Sequence, residues 1–144
     1  VLDLPSVVEI ASELICQSPS NDRVKCLPFD YTSDALPGHY DAALISGVLH
    51  REGEMTVRKI LAMTAAKLSS GAPLYISDVM MNDQRDGPVF AAMFGLNMRI
   101  LSEGGRCHSV REQRLWLEDT GFEFCRSWQL PAPIHYTVIE AKRR

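Results

Sequence analysis

The chain has 144 residues, of which 46% are hydrophobic and 23% charged, a composition typical of one soluble globular domain that can bury a core. A formal charge of −3 and a pI near 5.8 leave it without the basic surface that attracts a nucleic-acid backbone. No apolar run approaches the roughly 20 residues that cross a bilayer. We therefore expect a single domain over residues 1–144, with neither nucleic acid nor membrane as a partner.

The cysteines show no C-x-x-C spacing, and this absence predicts free thiols and no metal site. They are Cys16, Cys26, Cys107 and Cys125. With no secretory leader at its start, the chain is expected to be cytoplasmic. Because it opens on Val1 in what reads as the end of a strand, we expect it to be the C-terminal portion of a longer protein.

The first 30 residues or so predict two strands on either side of a helix. Residues 1–3 end a strand, and Pro5 stands where a helix begins, because that position needs no N–H donor. Apolar residues then recur at helical spacing as far as Cys16. Residues 23–29 predict a second strand, which Pro28 places at or near a sheet edge.

The next strand, 40–46, has a nearly continuous apolar run, which is typical of a central strand covered on both faces. A helix from about Glu54 to Leu68 leads to a strand over 73–79, and this order predicts a parallel crossover. Ligands of open α/β sheets bind outside the carboxyl ends of parallel strands, a rule that singles out His50.

The C-terminal part predicts two helices and then two strands. Residues 88–101 form a Met- and Phe-rich helical segment, and Ser109 with Glu112 makes a capping box for the next helix. Gly121 ends that helix. Alternating and β-branched residues predict strands over 122–128 and 135–141.

Four short motifs follow one another along the chain. They are Val1-Leu2-Asp3-Leu4-Pro5, Phe29-Asp30-Tyr31, Val48-Leu49-His50 and Gly104-Gly105-Arg106. In this order and spacing the chain resembles, over nearly its whole length, the class I S-adenosylmethionine-dependent O-methyltransferases of the caffeic acid, hydroxyindole and bacterial polyketide type. The resemblance implies an α/β fold with a Rossmann-like methyltransferase sheet, mostly parallel with an antiparallel last strand. It also implies N-terminal truncation, since the family's first strand and Gly-rich loop are missing.

The resemblance implies S-adenosylmethionine as cofactor. An acid at a strand end can accept from both hydroxyls of a ribose, and Asp3 is placed for this. By resemblance, Leu4 packs near the adenine, Asp30 accepts from its amine, Tyr31 packs on the ring and Ser46 lies near the methionine moiety. Simple turn or N-cap roles for the two acids remain equally open.

Methyl transfer to a hydroxyl needs a base, and a histidine with a pKa near 6.5 suits that task at neutral pH. Position and resemblance both indicate His50, with a capping or surface histidine as the alternative. Asp78 matches the family's carboxylate at the end of the next strand. Cys107 stands where the family has a second acid, and Arg51 where it has an Asp.

By resemblance, Met98 and Ser102 match positions of the family's substrate pocket, and Cys107 belongs to the same group. Met93 and Phe94 are interpreted as ordinary core. His108, next to Cys107, is expected to face solvent before a helix, with partial substitution for the missing acid as the alternative. His39 and His135 are expected to be structural or exposed.

The function expected is transfer of a methyl group from S-adenosylmethionine to a hydroxyl of a small aromatic or polyketide-like molecule of secondary metabolism. Besides this small acceptor, we expect a homodimer or an upstream segment of the same protein as partner. The alternative is a non-catalytic methyltransferase-fold domain used in ligand binding or assembly. A nicotinamide-dependent dehydrogenase is excluded for these residues because they contain no G-x-G-x-x-G turn.

Overall fold

The structure is a computed structural model that describes residues Val1–Arg144, and the chain divides into two compact units, Val1–Leu36 and Pro37–Arg144. In chain order the strands and helices are β1 Leu2–Asp3, α1 Pro5–Cys16, β2 Leu27–Pro28, β3 Ala43–Ser46, α2 Glu54–Ala65, β4 Pro73–Asp78, α3 Val89–Leu101, α4 Val110–Asp119, β5 Phe122–Gln129 and β6 Thr137–Arg143. None of these helices combines the length and the apolar character that crossing a membrane demands.

In the first unit, β1 and β2 form a parallel pair with Asp3 opposite Pro28. The backbone N–H groups of Leu27 and Phe29 donate to the carbonyls of Val1 and Asp3, so the ladder does not need the donor that proline lacks. This alternation explains why the second strand tolerates Pro28. Strand β2 covers only Leu27–Pro28 and is much shorter than the strand predicted over residues 23–29.

Helix α1 has the bounds that the sequence predicts, Pro5 to Cys16, with proline in its first turn. Its apolar stripe is exposed, and the helix contains no buried residue. The local sequence signals therefore predict the bounds of the helix correctly. Its hydrophobic face, however, does not form a core within this unit.

In the second unit, the sheet has the order β3-β4-β6-β5. Strand β3 is parallel to β4, while β6 is antiparallel to both of its neighbours, β4 and β5. All strands of this sheet except the last therefore run in one direction, which confirms the expected mostly parallel sheet with an antiparallel last strand.

Strand β4 alternates buried and half-buried residues, so that Leu74, Ile76 and Asp78 share its buried face. Leu74 and Ile76 are fully enclosed and help to form the core. The same alternation carries the carboxylate of Asp78 into buried surroundings at the strand's carboxyl end.

The prediction of a central strand covered on both faces is wrong for β3. The strand is limited to Ala43–Ser46, lies at the edge of its sheet, and leaves Leu44 65% exposed. Tyr40 makes only an isolated bridge with Leu68. An apolar run reports hydrophobicity, but it does not report whether a second strand pairs with the other edge.

The same bridge explains a second difference. Helix α2 ends at Ala65, before the predicted Leu68, because the backbone around Leu68 pairs with Tyr40 instead of continuing the helix. The Tyr40 N–H donates to the Lys67 carbonyl, and the Ser69 N–H donates to that of Tyr40.

The later elements follow the prediction closely. The capping box is present: Ser109 Oγ accepts from the Glu112 N–H, and Glu112 Oε2 accepts from the Ser109 N–H. Gly121 takes a φ of +96° just after α4, as a helix-terminating glycine does. Strand β6 begins at Thr137 rather than at His135.

Candidate active site

Two parallel strands end side by side and present a histidine and a carboxylate. Ser46, the last residue of β3, is in register with Ser77 of β4. Gly47 then turns the chain with a φ of +65°, which favours glycine, and a short 3₁₀ turn follows at Leu49–Arg51. We call Leu49–Arg51 the histidine turn, because it carries His50 to the edge where β4 ends in Asp78.

His50 and Asp78 form a buried pair. The Nδ1–H of His50 donates to Asp78 Oδ1 at 2.5 Å, and the His50 backbone N–H donates to Oδ2 at 3.1 Å. The Val79 N–H donates to Oδ1 at 2.7 Å. The two residues are 7% and 1% exposed. The two backbone hydrogen bonds hold the carboxylate in place, and the carboxylate fixes both the tautomer and the orientation of the imidazole.

The other ring nitrogen of His50, Nε2, makes no hydrogen bond within the chain and is not enclosed. The imidazole and the ring of Phe94 pack edge to face, with centroids 4.9 Å apart. With Nδ1 engaged as a donor, Nε2 carries the lone pair. The arrangement can therefore accept a proton from a hydroxyl placed beside it.

Residues 104–106, the Gly-Gly segment, pack closely against the histidine turn. A Cβ at Gly104 would lie 2.5 Å from the Gly53 nitrogen, and one at Gly105 would collide with the Met98 carbonyl. The Arg106 N–H donates to the His50 carbonyl at 2.9 Å. The close approach of the backbone thus requires glycine at both positions. The segment supports the histidine turn by packing against it.

The expectation that His108 faces solvent is wrong: it is 0% exposed. Its Nε2 lies 3.1 Å from the Leu49 carbonyl and 3.0 Å from the Glu52 carbonyl, and its ring meets Trp116 edge to face. Two acceptors at Nε2 assign the proton there. A position just before a helix gave no sign of these distant contacts, which join His108 to the first residue of the histidine turn and to the residue that follows the turn.

Burial lowers the pKa of His108, and the nearby Arg106 guanidinium lowers it further. The two carbonyl hydrogen bonds and the charge of Glu112 act in the opposite direction. The ring is therefore neutral in the folded protein at neutral pH.

Cys107 lies in a buried cluster with Val79 and Ala91 and is 1% exposed. Burial, assisted by the negative charge of Asp78, raises the pKa of its thiol to about 12. Cys107 is thus a neutral, enclosed group and supplies neither the charge nor the basicity of a carboxylate.

The two remaining positions expected in the substrate pocket lie at the end of α3. Met98 is buried, and the Ser102 hydroxyl donates to the Arg51 carbonyl at 2.8 Å. Ser102 thereby ties α3 to the histidine turn.

The expected cofactor acids belong to the first unit and are engaged locally. Asp3 is exposed, and its Oδ1 accepts from the Leu4 N–H at 2.8 Å. Asp30 is half-buried, and its Oδ1 accepts from both the N–H and the hydroxyl of Thr32. These are turn roles, one of the two alternatives that the sequence left open, and the contacts leave a cofactor role untested.

The other expected cofactor residues lie at element ends. Leu4 is the N-cap residue of α1 and is 44% exposed, and Tyr31 is half-buried in the turn after Asp30. Ser46 ends β3 with an exposed side chain.

Sequence reasoning missed the role of Phe94, which it interpreted as ordinary core but which packs on the imidazole of His50. Met93, interpreted in the same way, is 65% exposed. Phe94 lies four residues before Met98, so helical spacing places the two residues on the same face of α3. The sequence alone could have shown this.

A parallel sheet with one antiparallel strand, and a histidine–carboxylate pair at its carboxyl edge, define a Rossmann-like methyltransferase domain. Residues 1–123 match the family described as O-methyltransferase domain, and the chain belongs to that family. Within the sequence, 133 residues are 35% identical to 3-hydroxy-5-methyl-1-naphthoate 3-O-methyltransferase from Streptomyces sahachiroi, covering 92% of this chain and 38% of that protein.

Two further similarities agree with this assignment. Tetracenomycin polyketide synthesis 8-O-methyl transferase TcmO from Streptomyces glaucescens is 27% identical over 91% of this chain and 38% of that protein. The crystal structure of an O-methyltransferase family 2 protein from Planctomyces limnophilus, in complex with apigenin, superposes with a TM-score of 0.90 at 29% identity, over 99% of this chain and 42% of that one. The chain thus spans about 38% of the length of these two curated relatives.

Proposed function

We propose that the protein containing this chain transfers a methyl group from S-adenosylmethionine to a hydroxyl of a small aromatic or polyketide-like acceptor, with His50 as general base. The observation that carries the proposal is the buried His50–Asp78 pair, which engages Nδ1 and leaves Nε2 open. The acceptor class is drawn from the relatives, two of which are named for a naphthoate and for a polyketide pathway.

The chain's own residues would act as follows. Nε2 of His50 accepts the proton of the acceptor hydroxyl, whose pKa is near 10 if it is a phenol, and the resulting oxyanion becomes a competent nucleophile. Asp78 stabilises the imidazolium that forms. Since Nε2 is not enclosed, the proton can then leave to solvent. The rest of catalysis is orientation of the oxyanion toward the methyl group.

S-adenosylmethionine, when bound, supplies an electrophilic methyl group on a sulfonium. Two residues present features that fit such a ligand. The second carboxylate oxygen of Asp3 has no hydrogen bond within the chain and can accept from ribose hydroxyls, and the exposed Ser46 hydroxyl is unpartnered beside the histidine turn. We retain Leu4, Asp30 and Tyr31 as proposed adenosine-binding residues.

The test uses the product of the complete reading frame with labelled S-adenosylmethionine and hydroxyarenes that include 3-hydroxy-1-naphthoate. Because a positioned general base contributes about 10²–10⁴-fold, His50→Ala should lower kcat by at least 100-fold. S-adenosylhomocysteine should still bind. The exposed His39 offers a matched control, and His39→Ala should retain full activity. Methyl transfer by His50→Ala within threefold of wild type would show that the base assignment is wrong.

A second candidate is a methyltransferase-fold domain that binds ligands or serves in assembly without catalysis. Cys107 favours it, because a neutral buried thiol replaces an acid that the family uses beside its histidine. Calorimetry with S-adenosylhomocysteine and the same acceptors separates the two candidates. Binding without any methylated product would support the second.

A further inference from the structure

Tyr136 lies just before β6 and presents its hydroxyl to the surroundings of His50. Its Oη is 3.7 Å from the position that a Cβ would take at Gly47, and the His50 Cε1 is 4.0 Å from the same point. The phenol oxygen and the imidazole carbon therefore lie on the same side of Gly47, at most about 8 Å apart. A ligand atom placed between the two groups would be close to both.

The Tyr136 hydroxyl is half-buried and makes no hydrogen bond within the chain, yet it is not enclosed. Its ring packs beside Val79 and Ala91, together with Phe94. The ring is therefore held by apolar contacts, while the polar tip is available as a donor. This combination is typical of a residue that orients a ligand.

Tyr136 also lines a cavity of about 230 Å³ between the start of α3 and the connection from β5 to β6. Phe90 and His135, which lie on this cavity, stack with centroids 4.1 Å apart, and Phe90 stacks in turn on Phe94. The cavity is smaller than the roughly 300–1,000 Å³ of pockets for drug-sized ligands, so its size suits one or two fused rings. Its aromatic lining continues through Phe94 to His50.

We propose that Tyr136 is a further acceptor-binding residue, whose hydroxyl donates a hydrogen bond to a carboxylate or carbonyl oxygen next to the hydroxyl that His50 deprotonates. This inference rests on the proposed function and narrows its substrate class to hydroxyarenes with an adjacent oxygen substituent. The aromatic rings of the acceptor lie in the cavity lined by Phe90 and Tyr136. A second oxygen held in this way also directs methylation to one hydroxyl of a polyhydroxylated acceptor.

The experiment compares 3-hydroxy-2-naphthoate with 2-naphthol, which has the same rings and hydroxyl but no carboxylate. Calorimetry on the product of the complete reading frame, saturated with S-adenosylhomocysteine, gives the Kd of each. In Tyr136→Phe we expect the Kd of the naphthoate to rise about 10-fold or more, as when a hydrogen bond to a charged group is removed. The Kd of 2-naphthol should change less than threefold.

Tyr40→Phe removes a phenol hydroxyl elsewhere and should leave both Kd values unchanged, and thermal unfolding verifies that each variant is folded. Equal weakening of the two ligands by Tyr136→Phe would overturn the proposal, as would no weakening at all. The proposal would also fail if the wild-type protein bound the naphthoate no more tightly than it binds 2-naphthol. Because binding is measured without turnover, a failure of the methyl transfer reaction is seen separately, as absence of product.

Discussion

The histidine turn and the two acids of the first unit show two ways of holding a polar side chain. His50 is fixed by residues far away in the sequence: Asp78 on its ring, and Arg106 on its carbonyl. Asp3 and Asp30 instead bond to residues one or two positions away. The position of His50 depends on the tertiary fold, whereas the side chain of Asp3 depends on a contact with the next residue.

This difference predicts how each region responds to mutation. A change at the histidine turn should reduce stability and activity together, because the same hydrogen bonds serve both. A change at Asp3 should alter ligand affinity while unfolding is unaffected. Variants in each region test this difference.

The largest effect is expected for Asp78→Asn. An amide can replace only one of the two carboxylate oxygens, so one of its N–H groups meets the N–H of His50 or of Val79 and leaves buried donors unpaired. We expect a loss of about 2–4 kcal/mol in the free energy of unfolding, measured by urea titration. The value of kcat should fall by about 100-fold or more, since the imidazole loses the charged acceptor that stabilises its protonated form.

Asp41→Asn is the control for this variant, because Asp41 is exposed and accepts one hydrogen bond, from Ser69. It should be within about 0.5 kcal/mol of wild type in stability. An Asp78→Asn protein with wild-type stability and activity would contradict the view that one set of hydrogen bonds supports both properties.

A smaller effect is expected from His108, which should make the free energy of unfolding depend on pH. Burial and Arg106 place its pKa in the folded protein below the value near 6.5 of the unfolded chain. The unfolded chain therefore binds the proton first, and stability that is present above pH 6.5 is lost as pH falls through the folded pKa. The slope should reach at most about 1.4 kcal/mol per pH unit.

Urea titrations of wild type and His108→Gln between pH 7.5 and 5 measure this contribution, because glutamine can donate to the same carbonyls but does not titrate. His39→Gln, at an exposed site, controls for the loss of a histidine and should retain the wild-type slope. If His108→Gln retained that slope as well, the burial of His108 would have no part in the pH dependence.

The same contrast between local and distant contacts explains what the sequence could predict. The bounds of α1 and the capping box of α4 follow from proline, serine and glutamate positions within a few residues, and both are confirmed. The burial of His108 and the edge position of β3 depend on partners tens of residues away. No local pattern encodes those partners.

The candidate site follows the same rule. His50 and Asp78 could be selected from strand ends and from family resemblance, and the structure brings them into contact. Helical spacing could also have indicated Phe94. The hydroxyl of Tyr136 approaches the space beside Gly47 from the other end of the chain, which no spacing rule predicts. Why arginine follows His50 has no explanation in the structure, where Arg51 is exposed and makes hydrogen bonds only through its backbone N–H and carbonyl.

The smallest structural effect is expected for Asp3→Asn. Asparagine retains an oxygen for the Leu4 N–H, so unfolding should stay within about 0.5 kcal/mol of wild type. If Asp3 accepts from ribose hydroxyls, losing its charge and one acceptor should weaken S-adenosylhomocysteine binding by about 5- to 30-fold in calorimetry. Asp22→Asn, at an exposed turn of the same unit, should leave the Kd unchanged. Loss of stability without loss of affinity would mean that Asp3 serves its turn alone, and the contrast between the two regions would no longer hold.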